Sequence, residues 1–149
     1  MIRRRLIRDE LQVQGDAILV RALFDAPDAD HVFDRAILIA DASHNFDVFG
    51  YYGLSLWLVS DTWTLERVLD TKTRKARRVA LFNAGALSAQ GLSLVPSGKL
   101  PHYDASLGPA YGVCTSVQVS ADSARELVDR FITATYTVES NPFYAQDPS

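Results

Sequence analysis

The chain has 149 residues, 48% hydrophobic and 22% charged, with a mean hydropathy near zero. That is enough for one domain with its own core, and it excludes a disordered or low-complexity protein. The longest apolar runs, such as Ala36–Ala40 and Leu54–Val59, fall far short of the roughly 18 residues a membrane span needs. The net charge of −3 is unevenly spread: Asp25 to Asp47 holds six aspartates against Arg35, and Arg67 to Arg78 holds six basic residues against Asp70.

In chain order, Ala17–Phe24 alternates as a strand covered on both faces, with Arg21 as its anomaly, and Asp25-Ala26-Pro27-Asp28 ends it. Val32–Ala40 has helical apolar spacing, although Ile37-Leu38-Ile39 suits a strand equally. Leu54–Ser60 reads as strand, and Asp61 or Thr62 as the cap of a short helix whose Leu65, Val68 and Leu69 share a face. Val79–Phe82 is a short strand. Asn83 then caps a helix over Ala84–Gln90 that Gly91 terminates. Leu92–Val95 is strand leading into the turn Pro96-Ser97-Gly98, and the β-branched run Tyr111–Val119 is another. Ser123-Ala124-Arg125-Glu126 has the capping-box pattern, opening a helix with Leu127, Val128, Phe131 and Ile132 toward the core. Tyr136–Glu139 is the last strand, and residues 141–149 read as a peripheral tail.

The order of strands and short helices, without repeat or linker, predicts a single α+β domain over residues 1–149: a mixed, mostly antiparallel sheet with a C-terminal packing helix. The single cysteine, Cys114, leaves no internal disulfide and reads as a buried thiol. Met1-Ile2-Arg3-Arg4-Arg5 is not followed by the apolar stretch of a signal peptide, so the expected compartment is the cytoplasm; a leaderless secretion route would leave no mark in the sequence. The basic run reads first as a solvated loop or strand edge. A contact with nucleic acid or with an acidic partner is the lesser expectation, and duplex binders carry a wider basic face and a positive domain, which this chain lacks.

Two aromatic-polar segments carry the candidate chemistry: Phe49-Gly50-Tyr51-Tyr52-Gly53-Leu54-Ser55-Leu56-Trp57 and Pro101-His102-Tyr103-Asp104. They combine rings that can stack on a flat ligand (Tyr51, Tyr52, Trp57, Tyr103) with groups that move protons or bind oxyanions (Ser55, His102, Asp104), which suggests a shared cleft. Arg21 is costly to bury on an apolar strand unless it is paired or faces a cleft, so it is a candidate anion binder. His102, in an exposed-looking loop, could serve as acid or base near neutral pH. Glu139, at a strand end, could act as a base if that strand ends in a cleft. No phosphate-binding glycine loop, Cys-x-x-Cys, His-Glu-x-x-His or nucleophile elbow is present, and His31, His44 and His102 are too far apart for a local metal site, so no metal is expected.

Leu19-Val20-Arg21-Ala22-Leu23-Phe24 resembles the opening strand of ADP-ribosyltransferase-like toxins, particularly a small effector family of type VI secretion systems. Pro101-His102-Tyr103-Asp104 resembles the His-Tyr step of the same toxins, and the order Arg21, Ser55, Glu139 matches an arginine, serine, glutamate branch of that fold. Leu54-Ser55-Leu56-Trp57 lacks that branch's Ser-Thr-Ser triplet, and Thr137-Val138-Glu139 lacks its paired acidic end motif. The resemblance implies a bacterial toxin or modifying enzyme that uses NAD as substrate. Arg21 would hold phosphate or ribose, Tyr51 and Tyr52 would stack, Ser55 would orient, His102 would make a polar contact and Glu139 would stabilise the ribose cation. It also implies a neutralising antitoxin or immunity protein as partner. Two other readings stand beside it: a non-enzymatic immunity, antitoxin or accessory protein using its charged patches, and an RNA-cleaving toxin using His102 with the Arg67–Arg78 strip.

Overall fold

The computed structural model describes residues 8, 13–23, 33–107, 121–134 and 136–144. Ten elements follow one another among these residues: β1 (Ile18–Leu23), α1 (Arg35–Phe49), β2 (Leu54–Leu58), α2 (Leu65–Thr71), β3 (Arg78–Asn83), α3 (Ala84–Ala89), β4 (Leu92–Val95), β5 (His102–Leu107), α4 (Ala121–Thr133) and β6 (Tyr136–Ser140). The strands form one sheet in the order β4-β5-β2-β1-β3-β6, and every pairing is antiparallel. The fold is α+β, as the sequence predicts, and among the described residues the sheet has antiparallel pairings rather than the expected mixture.

Side-chain alternation gives the sheet two different faces. Leu19 and Leu23 of β1, Leu54 and Leu56 of β2, Phe82 of β3 and Tyr103 of β5 pack with Leu38 and Ala42 of α1, Leu87 of α3, and Leu127, Val128 and Phe131 of α4. On the other face Val20 and Val79 pack with Val68 and Leu69 of α2, bordered by Trp57, Trp63 and Leu81. Burying each of these large apolar side chains contributes about 1.5–3 kcal/mol before conformational entropy is subtracted.

The helix starts differ from the sequence reading for local reasons. α1 begins after Asp34, whose carboxylate accepts from the Ala36 and Ile37 amides, and runs to Phe49, well past Ala40. Its end is set by Gly50, whose φ of 88° is the left-handed conformation that closes helices. Thr64, not Asp61 or Thr62, caps α2: Ser60 Oγ accepts from the Trp63 amide and holds a turn there, leaving Thr64 Oγ1 for the Arg67 amide. α4 is already helical at Ala121, so Ser123 lies buried within its first turn rather than at its cap, and Glu126 pairs with Arg130 one turn on at 2.7 Å. Asn83 does cap α3, its Oδ1 accepting from the Gly85 amide at 2.9 Å.

Two further differences bear on function. His102, expected in an exposed loop, opens β5, a strand between β4 and β2 with every residue buried. Asn141, the first residue of the expected peripheral tail, is buried and donates to the Leu69 and Thr73 carbonyls, tying the chain after β6 to α2. The expected strand Tyr111–Val119, with Cys114, lies outside the described residues.

Candidate functional site

The site grows from the contact between β2 and β5. Ser55 pairs with Asp104 and Trp57 with His102, so these four side chains leave the same face of the sheet. Tyr103, Ala105 and Leu107 point the other way, into the main core. β5 is therefore a two-faced strand with one apolar face and one polar face, both buried. The polar face requires a partner for each of its groups.

Those partners come from the turn between β4 and β5 and from the loop before β2. His102 Nδ1 lies 2.9 Å from the Ser97 carbonyl, and His102 Nε2 lies 3.0 Å from Ser55 Oγ. A carbonyl only accepts, so Nδ1 carries the proton. Ser97 Oγ is consistent with this: it donates to Asp104 Oδ2 at 2.7 Å and is left as a second acceptor, 3.2 Å from Nδ1. In the neutral ring Nε2 is then the acceptor, and Ser55 donates its hydroxyl proton to it. Gly98, at φ 69°, makes the reversal that turns Ser97 toward His102; a side chain there would be strained. Arg8 fixes the same turn from outside, donating to the carbonyls of Ser97 (2.9 Å) and His102 (2.8 Å).

Asp104 is fully buried. Its Oδ2 accepts from Tyr51 Oη at 2.5 Å and from Ser97, while Oδ1 lies 3.7 Å from His102 Nε2. Gly53 allows this approach, since a Cβ at that position would come within 3.1 Å of both Asp104 Cβ and the Tyr51 ring. This buried carboxylate accepts from two hydroxyl donors, and it offers counter-charge to an imidazolium formed at His102.

Arg21 reaches this cluster from the helix-covered side. The register between β1 and β2 runs through Leu19↔Leu58 and Val20↔Trp57. Next to that stretch the guanidinium, rather than a backbone amide, meets the Ser55 carbonyl at 3.1 Å. Its second nitrogen pairs with Asp41 of α1 at 3.0 Å. Burial lowers the Arg21 pKa from its ordinary value, and the charges of Asp41 and Asp104 partly oppose that shift. A cleft of about 300 Å³ opens here between α1 and the strands, lined by Arg21, Asp41, His44, Asn45, Gly53 and Ser55. Ser55 links the two halves of the site: its carbonyl receives Arg21 and its hydroxyl meets His102.

Of the residues singled out in the sequence, Ser55 and His102 meet through their side chains, and Arg21 reaches Ser55 at its backbone carbonyl. Glu139 does not reach them. It lies exposed on edge strand β6, which β1 and β3 separate from β2 and its Ser55. Tyr51 and Tyr52 are buried, at 3% and 6% exposure, and present no open ring to a ligand. Tyr51 is a hydrogen-bond donor to Asp104, and Tyr52 stacks on Phe46 with centroids 4.5 Å apart. His102 is not an exposed loop residue but a strand residue at 9% exposure, its ring edge-on to Trp57. Ser97, Asp41 and Arg8 were not legible as site residues, because nothing in their local sequence reports the contacts that bring them in. Among the described residues no three His, Cys, Asp or Glu side chains converge as a metal site, and no helix is long and apolar enough to cross a membrane.

Comparison with protein-family models, with curated proteins and with solved structures finds no match to this chain.

Proposed function

We propose that this protein is an enzyme that activates the Ser55 hydroxyl through His102 and holds an anionic group of its substrate with Arg21. One observation carries the reading: Ser55 Oγ sits 3.0 Å from a His102 Nε2 whose opposite nitrogen donates to the Ser97 carbonyl at 2.9 Å. A hydroxyl, a base and a group that orients the base form the arrangement that nucleophilic catalysis requires. As Ser55 Oγ bonds to an electrophilic carbonyl carbon or phosphorus, its proton passes to Nε2. Asp104, 3.7 Å away, stabilises the imidazolium, which then protonates the departing oxygen or nitrogen. Asp41 is half exposed, so a substrate carboxylate or phosphate entering the cleft can replace it on the Arg21 guanidinium.

The test is covalent labelling with an uncharged alkyl fluorophosphonate. The reading predicts one phosphonyl group on Ser55, absent from Ser55→Ala and formed about 100-fold or more slowly in His102→Gln, the usual minimum contribution of a positioned base. Folded protein that stays unlabelled, or labelling at equal rates with and without His102, contradicts it.

A second reading keeps NAD as substrate, in a toxin or modifying enzyme of the ADP-ribosyltransferase type with a neutralising partner. Arg21 and Ser55 lining one cleft is the observation in its favour. The carboxylate expected from Glu139 and the open tyrosine rings are not at that cleft, so no catalytic step is derived for it. NAD at one hundred times its dissociation constant would stabilise the fold by about 2.7 kcal/mol. A thermal shift with millimolar NAD that is lost in Arg21→Ala supports this reading, and no shift removes it.

A further inference from the structure

The segment from Arg67 to Arg78 carries Arg67, Lys72, Arg74, Lys75, Arg77 and Arg78 against one acid, Asp70. It covers most of α2, the turn after it and the start of β3. Arg67, Arg74, Lys75 and Arg77 are exposed, and Asp70 is engaged by Arg74 at 3.5 Å. Cations this close repel one another across less than a Debye length, so the patch gains from an anionic partner.

Aromatic rings are interleaved with these charges. The Arg67 guanidinium lies 3.7 Å above the centre of the Trp63 ring, and Lys72 spans Trp63 and Trp57 at 5.0 and 5.6 Å. Arg77 lies 5.4 Å from the ring centre of Tyr144. The row is continuous with the site, because Trp57 is the ring that meets His102, with centroids 4.9 Å apart. From Tyr144 to His102, flat groups and positive charges therefore share one flank of the molecule.

We propose that this flank binds a single-stranded nucleic acid, phosphates on the lysines and arginines and bases on the Trp63–Arg67 stack and neighbouring planes. Single strands fit better than the alternatives. A duplex hides its base faces and calls for a wider basic surface than this narrow row on a chain of net charge −3. An acidic peptide supplies charge but no flat rings to match the aromatic and guanidinium planes, whereas stacking of unpaired bases on such planes is a principal source of single-strand affinity. The proposal does not depend on the Ser55–His102 chemistry, since binding requires neither group.

The experiment is fluorescence anisotropy of end-labelled 12-nucleotide single strands, oligouridine and oligothymidine, titrated with the whole chain between 50 and 200 mM salt. Neutralising three or four phosphates predicts a loss of affinity of about 20- to 50-fold over that range. Lys75→Glu/Arg77→Glu, two exposed positions, should lose at least about tenfold and flatten the salt dependence. Trp63→Ala should weaken binding with the salt slope unchanged, and Ser55→Ala should bind as the parent does, which separates this claim from the proposed catalysis. Tighter binding of oligouridine than oligothymidine would assign the strand as RNA, and the reverse as DNA. No binding of either at 50 mM salt, equal binding by the charge-reversed variant, or stronger binding of a same-length duplex or an oligoglutamate peptide would overturn it.

Discussion

Two buried regions of this protein are held in opposite ways. Under α4, Phe33, Phe82, Phe131 and Tyr136 form an aromatic cluster with ring centroids 4.6–6.2 Å apart. Across the polar face of β5, Asp104, His102, Ser97, Tyr51 and Ser55 form a chain of hydrogen bonds at 2.5–3.2 Å. The aromatic cluster is less directional: a ring of similar volume that keeps the edge-on and tilted contacts satisfies it. The polar chain is directional, and each member depends on the proton placement of the next. The first can be altered at a cost in stability alone. The second cannot be altered without disturbing the contacts that orient His102 toward Ser55.

The largest expected effect on stability is therefore in the apolar region. Phe131→Ala removes a fully buried ring and should destabilise by about 3–5 kcal/mol in urea unfolding, with Ser55 reactivity per folded molecule unchanged. In the polar region Asp104→Asn should cost less, about 1–3 kcal/mol, yet reduce fluorophosphonate labelling of Ser55 by about tenfold or more, because the counter-charge for the imidazolium is lost. Tyr51→Phe deletes one donor to the same carboxylate and should cost about 1.5–3 kcal/mol, the range for a hydrogen bond to a charged group. Glu139→Gln, on the exposed edge strand, should change stability by less than about 0.5 kcal/mol and labelling not at all. A variant that moved both readouts in the aromatic cluster, or neither in the polar chain, would break the contrast.

The contrast also explains what could be read in advance. α4 was legible because Leu127, Val128 and Phe131 recur at helical spacing on one face, and that face is buried. α3 was legible from the asparagine before it and the glycine after it, Asn83 capping and Gly91 at φ 76°. β5 was missed although its alternation is written in the chain, with Tyr103, Ala105 and Leu107 on one side and His102, Asp104 and Ser106 on the other. Polar residues in alternate positions ordinarily face water, and here they face a buried turn. Arg21 was legible for a similar reason in reverse: a cation on an apolar strand needs a partner, and it has Asp41 and the Ser55 carbonyl. The partners themselves lie 20 and 34 residues away, beyond the reach of local pattern. Glu139 was chosen by its place in an order of residue types, which carries no information about strand order in the sheet, and β3 separates its strand from β1.

The central claim is the proton position on His102, and nitrogen-15 NMR of uniformly labelled protein measures it directly. With His102 identified by its loss in His102→Gln, two-bond correlations at neutral pH should show Nδ1 as the protonated, pyrrole-type nitrogen and Nε2 as the bare acceptor. Ser55→Ala should shift Nε2 while leaving Nδ1 protonated. The reverse tautomer, with Nε2 carrying the proton, would make Ser55 an acceptor rather than a donor and would contradict the assignment of His102 as its base.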